Sequence, residues 1–116
     1  MGFAKAYEFT VRTKTSNFKS FIDFANEAER QLNTILTRIQ NGAIIVSDAI
    51  DIRINSEPQD RGYGDYYSHI VIIFNYDAEK RVTIDDAEII RKELFINSMW
   101  YAPEDNDGIR ICKRYQ

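Results

Sequence analysis

Residues able to do chemistry are sparse in this chain of 116 residues, and the richest run of them is Arg61-Gly-Tyr-Gly-Asp-Tyr-Tyr-Ser-His69. Glycines let backbone approach a ligand, tyrosines offer a flat face with a polar edge, and a guanidinium pairs with phosphate. That chemistry suits binding, and it makes Arg61, Tyr63, Tyr66 and Tyr67 the candidate ligand- or partner-binding residues. Trp100 and Arg110 join them if the C-terminal segment packs beside this loop. The run leads into a strand, so it lacks the strand-to-helix setting of a phosphate-cradling loop.

His69 is the only histidine, which allows a carboxylate-assisted base with Asp65 or Asp51 but no histidine-built metal site. Alternation places it on a strand face with Tyr67, Val71 and Ile73, where a hydrogen-bonded strand residue is the simpler reading. The acidic run Glu104-Asp105-Asn106-Asp107-Gly108 has the composition of a calcium loop but not its spacing. Pro103 stands where the first carboxylate ligand belongs and Arg114 where the bidentate glutamate is required, so a hairpin turn is expected. Cys112 is the only cysteine, which excludes an intrachain disulfide and a cysteine-built zinc site. No catalytic residue, metal ligand set or cofactor is therefore assigned.

The elements that must position these residues follow from periodicity. Residues 3 to 12, FAKAYEFTVR, alternate apolar and polar and predict a strand with Tyr7, Phe9 and Val11 on one face. A helix is expected from an N-cap at Ser16 or Asn17 to about Gln40, stopped by Asn41-Gly42. Its apolar residues, among them Phe18, Phe21, Ile22, Ala28, Leu32 and Ile35, recur at three- and four-residue intervals. Covering a sheet is one reading of this stripe and pairing with a second copy is another. Phe24 lies off the stripe and is the candidate for self-association. AIIVSDAIDIRIN predicts a half-exposed strand through Ile50, Ile52 and Ile54, SEPQDRGYGD a loop, and YYSHIVIIFNY a central strand apolar on both faces. EKRVTI reads as a short strand reached through the turn Asp77-Ala78, and Asp85 to Glu88 as the capping box of a helix ending near Asn97. NSMWYAPEDNDGIRICKRY reads as a terminal hairpin. The expectation is one α+β domain over residues 1–116, a long amphipathic helix packed on an antiparallel sheet, in the order β-α-β-β-β-α-β-β.

Composition sets the outer bounds. Hydrophobic residues at 44% and charged residues at 28% supply a core and argue against disorder. The net charge of −3 argues against broad phosphate binding. Lys5, Arg12, Lys14 and Lys19 near one end and Arg110, Lys113 and Arg114 near the other would form a local basic patch if the ends met; ordinary solvated charge is the simpler reading. No apolar run approaches the ~18 residues of a membrane span, and the N-terminus shows neither an apolar signal core nor, with Ala6, a myristoylation motif. With one cysteine, this predicts a cytoplasmic protein without membrane contact.

From the first helix through IDIRINSEPQDRGYGDYYSHIVIIFNY, about half the chain, the sequence resembles small sporulation-associated proteins of spore-forming bacteria and their phage-borne relatives. In those, a helix leads to an Ile-Asp-Ile-type strand, a polar loop, and a strand with tyrosine before an apolar run. The resemblance implies no enzymatic activity and points to a phage or prophage accessory protein in the host cytoplasm. Together with the aromatic and arginine-bearing loop, this predicts a non-enzymatic, homo-oligomeric binding protein. It would antagonise host defence by masking a protein surface or sequestering a nucleotide signal. The alternatives are a nucleic-acid-associated regulatory domain using the terminal cations, which is not favoured, and a small enzyme using His69.

Overall fold

A computed structural model describes residues 2–46, 51–62, 64–77, 81–96, 99–102 and 108–115. Strand β1 (Gly2–Lys14) passes through a 3₁₀ turn at Thr15–Asn17 into helix α1 (Phe21–Gln40). Strands β2 (Asp51–Asp60) and β3 (Asp65–Asp77) follow, then helix α2 (Ile84–Phe95), a two-residue strand β4 (Arg110–Ile111) and a 3₁₀ turn at Lys113–Tyr115. The strands form one four-stranded antiparallel sheet in the order β2-β3-β1-β4.

The α+β class and the antiparallel sheet agree with the pattern of the sequence, whereas the expected element order does not hold among the described residues. SEPQD, expected as loop, is the second half of β2: its polar residues pair with Tyr66 through Ile70 of β3. Pro58 is tolerated because β2 is an edge strand. The described part of EKRVTI, residues 81–84, is not a strand, because Thr83 serves as the N-cap of α2 and Ile84 is its first residue. Its hydroxyl accepts from Asp85 N–H (3.3 Å), and Asp86 accepts from Thr83 N–H (2.8 Å), so the capping box lies two residues earlier than the expected Asp85–Glu88 pair. The C-terminal segments do not pair with each other in the described residues. Tyr101 bridges to Arg12 and β4 pairs with Tyr7 and Glu8, so both extend the sheet along β1. The acidic turn at 103–107, Ile50 and Ala78 lie outside the described residues.

Helix α1 begins later than expected and is correspondingly shorter. Ser20 is its N-cap, accepting from Asp23 N–H (3.2 Å), while the Asn17 side chain is turned back to donate to Thr13 Oγ1 (2.9 Å). Gly42, at φ 83°, closes the other end, with Ile44 N–H donating to Arg38 O (3.0 Å). Phe24, Ala28, Leu32 and Ile35 are buried against the sheet, and Ile22 is exposed. Phe24 is thus a core residue and not a surface for self-association, because its ring packs among Phe18, Tyr66 and Trp100.

Both helices cover one sheet face, where Tyr7, Phe9 and Val11 meet Ile70, Ile72 and Phe74 together with Ala87, Ile90 and Leu94 of α2. Among the described residues the opposite face carries no α-helix. At one end of it Cys112 closes over a smaller cluster of Ala6, Val71 and Ile73. No helix among the described residues is long and apolar enough to cross a membrane.

Candidate functional site

The face without helices collects the chemistry. Alternation along β1 and β3 sends Glu8, Thr10 and Arg12 to the same side as Asp65, Tyr67 and His69, and the register sets Arg12 opposite Tyr67 and Thr10 opposite His69. At the loop end, the Arg12 guanidinium lies 4.9 Å from the Tyr101 ring centroid and 5.5 Å from that of Tyr67. Arg12 is ion-paired with Asp65, and Tyr101 Oη donates to Asp65 Oδ1 (3.0 Å). The Tyr101 hydroxyl, with the Arg12 guanidinium and the charge of Lys14, outweighs the effect of burial and holds the Asp65 carboxyl below its ordinary range. Burial disfavours charge on Arg12, but its bonds to Asp65 and Tyr101 prevail and strengthen its hold on its proton.

Arg61 completes this group. Its guanidinium lies 4.5 Å from the Tyr67 centroid, is exposed, and forms no ion pair among the described residues. The loop that presents it is held by Gly62 and Gly64, both at positive φ (75° and 80°), with Gly62 N–H donating to Asp60 Oδ1 (2.9 Å). Thr15 N–H donates to Gly64 O (2.9 Å), which ties the loop to the end of β1.

The six sequence-predicted residues therefore separate. Arg61 and Tyr67 meet. Tyr66, adjacent in sequence, points to the helix side, 8% exposed, with its ring 5.1 Å from Phe24 and 5.5 Å from Phe21. Trp100 is also core, 3% exposed, 5.8 Å from Phe24 and donating its indole N–H to Gln31 Oε1. Burial removes both rings from any ligand-facing surface. Arg110 donates to Glu8 Oε1 (2.7 Å), four positions along β1 from Arg12, and Tyr63 lies outside the described residues. Arg12, Asp65 and Tyr101 were not among the predicted binding residues. The alternation of β1 was the signal available for Arg12, since it places this cation on the polar face.

Midway along the same face, His69 sits between two carboxylates, with Nε2 3.0 Å from Glu8 Oε2 and Nδ1 3.5 Å from Glu57 Oε2. Arg110 pairs with Glu8 (2.7 Å) and Arg114 with Glu57 (3.0 Å), giving a row of alternating basic and acidic side chains across the sheet. Burial pushes the Glu8 carboxyl up, but the Arg110 bond, the Cys112 thiol and the neighbouring His69 outweigh it and hold the group below its ordinary range. The Arg114 bond, offset in part by burial and reinforced by His69, does the same for Glu57. The partners expected for His69 are engaged elsewhere: Asp65 with Arg12, and Asp51 with Arg53 (3.3 Å). His69 is thus held by Glu8 and Glu57, both tied to arginines, an arrangement suited to latching strands together.

Among the described residues, one cleft runs between the helices beside the Arg38–Glu93 ion pair, and another lies between α1 and the edge of β2, lined by Glu29, Asn33 and, at the margin of the open face, Glu57. Neither contains any of the six predicted residues. Among the described residues no group of three or more His, Cys, Asp or Glu is arranged to hold a metal ion. No protein-family model, no curated protein and no solved structure matches the chain.

Proposed function

We propose that this protein is a non-enzymatic binding protein that takes a small nucleotide on the open sheet face at Arg61 and Tyr67. One observation carries the reading: an exposed guanidinium with no ion pair among the described residues stacks on a half-buried tyrosine beside a glycine-bounded loop. An aromatic face accepts a base by stacking, and a planar fork of donors accepts phosphate oxygens. On the resemblance to phage-borne relatives of sporulation-associated proteins, the biological setting is the host cytoplasm. The protein would there act as an accessory that sequesters a nucleotide signal of host defence.

The nucleic-acid alternative has less in its favour, because Arg12, Arg110 and Arg114 are each matched by a carboxylate of the chain. Masking of a protein surface also has less in its favour, because the exposed Ile22 and Ile45 lie at opposite ends of α1 and not in one patch. Calorimetric titration with linear and cyclic mono- and dinucleotides separates it from the nucleotide reading. Tyr67→Ala is expected to cost about 1 to 3 kcal/mol of nucleotide affinity, the worth of one stacked base, and Arg61→Ala to weaken phosphate-bearing ligands more than nucleosides. Dissociation constants weaker than about 1 mM for every nucleotide, or indifference to both substitutions, would refute the assignment. Native mass spectrometry of the protein from its source host reads the co-purifying ligand and the proposed homo-oligomeric state together.

A further inference from the structure

The C-terminal segment carries a second, independent feature. From β4 at one edge of the sheet it crosses the open face, so that Arg110 pairs with Glu8 of β1 and Arg114 reaches Glu57 of β2 at the opposite edge. Between these two anchors Cys112 is pressed onto Ala6, Val71 and Ile73, and its N–H donates to Ala6 O (2.9 Å). Apolar contact is limited to Cys112 and to Ile109, which is partly buried against the main core; β4 is two residues long and Ile111 is half exposed. Segments with few buried apolar contacts open at lower free energy than the fold that carries them. Here the hold is mainly electrostatic, and both anchoring acceptors are carboxylates.

We propose that residues 108–115 form an acid-releasable strap, which lifts from the open face as a local unit while the helix-backed sheet stays folded. Glu8 is faced by His69 of β3, Arg110 of β4 and Cys112; Glu57 is faced by His69 and Arg114, and shares a cleft with Glu29 of α1. Both carboxyls are held below their ordinary range while the strap is in place. The sign follows from that: the strap is held fully above the ordinary carboxylate range near pH 4.3, and the hold is lost as pH falls through the lowered values. Lifting the strap bares Ala6, Val71 and Ile73 and extends the accessible face from Tyr67 through His69 to Ile73.

Cys112, the only cysteine and 1% exposed, reports the opening directly. Thiol labelling with 4,4′-dithiodipyridine, which reacts in acid, is compared at each pH with denatured protein, alongside far-ultraviolet circular dichroism. The expected result is a loss of Cys112 protection of at least about tenfold between neutral pH and about pH 3 with an unchanged spectrum, the mark of a local opening. Protection that persists, or that disappears only together with the spectrum, overturns the proposal. The Arg110→Gln/Arg114→Gln double variant is expected to lose protection already at neutral pH, and the lysine double variant to regain part of it. A glutamine variant as protected as the parent chain would likewise overturn it.

Discussion

Polar residues in this chain differ in what they hold together, and single substitutions separate them. Gln31 accepts from the buried Trp100 indole and donates its amide to Glu27 Oε1 (3.0 Å), so it satisfies a donor that has no access to water. Gln31→Leu keeps the volume and orphans that donor, which costs about 1 to 3 kcal/mol. Arg61→Ala removes only an exposed stack on Tyr67, worth about 0.5 to 1 kcal/mol. Urea unfolding of the two variants should rank them in that order. The reverse ranking would make the loop a structural element and remove the basis for a binding site there.

At the scale of elements, the helix caps carry the correction most open to test. Ser20 and Thr83 each accept a backbone N–H of the first turn, at 3.2 and 3.3 Å, whereas Ser16 lies exposed in a 3₁₀ turn without a side-chain cap bond. Ser20→Ala and Thr83→Ala are each expected to lower stability by about 0.5 to 2 kcal/mol, and Ser16→Ala to leave it nearly unchanged. Loss on Ser16→Ala with a neutral Ser20→Ala would place the start of α1 where the sequence alone suggests. Thr83 has the larger role, because its backbone N–H is also bonded to Asp86, a residue itself buried at the start of α2. The opposite end of the sheet depends on a different element contact, with Lys5 Nζ donating to Val82 O (3.0 Å) just ahead of that cap.

For the whole molecule, charge on the open face sets the response to pH. Asp65, Glu8 and Glu57 all have carboxyls held below their ordinary range by partners from other elements. The unfolded chain therefore binds protons more readily than the folded one as pH falls into the carboxylate range. Stability is present in full above about pH 4 to 5 and declines through the lowered folded values. Urea midpoints measured from neutral to about pH 3 should fall steadily below that range. A midpoint that holds or rises in acid would show that these ion pairs contribute nothing to the fold. The register of β1 with β3 brings residues 2–14 against residues 65–77, so the open face exists only after this long-range pairing forms.

Local periodicity made part of this visible in advance. The alternation in FAKAYEFTVR and the three- and four-residue spacing through Leu32 and Ile35 each declare one apolar face, and the strand and the helix bury those faces. Asn41-Gly42 was legible as a stop because Gly42 takes the left-handed conformation a helix end requires. YYSHIVIIFNY was readable as a central strand but not in its orientation, since Ile70 and Ile72 on one side and Val71 and Ile73 on the other are all apolar. Such a strand carries no signal for which tyrosine faces the helices. That choice belongs to its pairing with β1, which turns Tyr66 into the core and leaves Tyr67 for Arg61 and Arg12. The apolar side opposite the helices has a tertiary cause as well, for Val71 and Ile73 lie under Cys112 from the far end of the chain. SEPQD follows the same logic: too polar to declare itself a strand, it becomes one because β3 supplies its backbone with partners, and no local pattern contains that information.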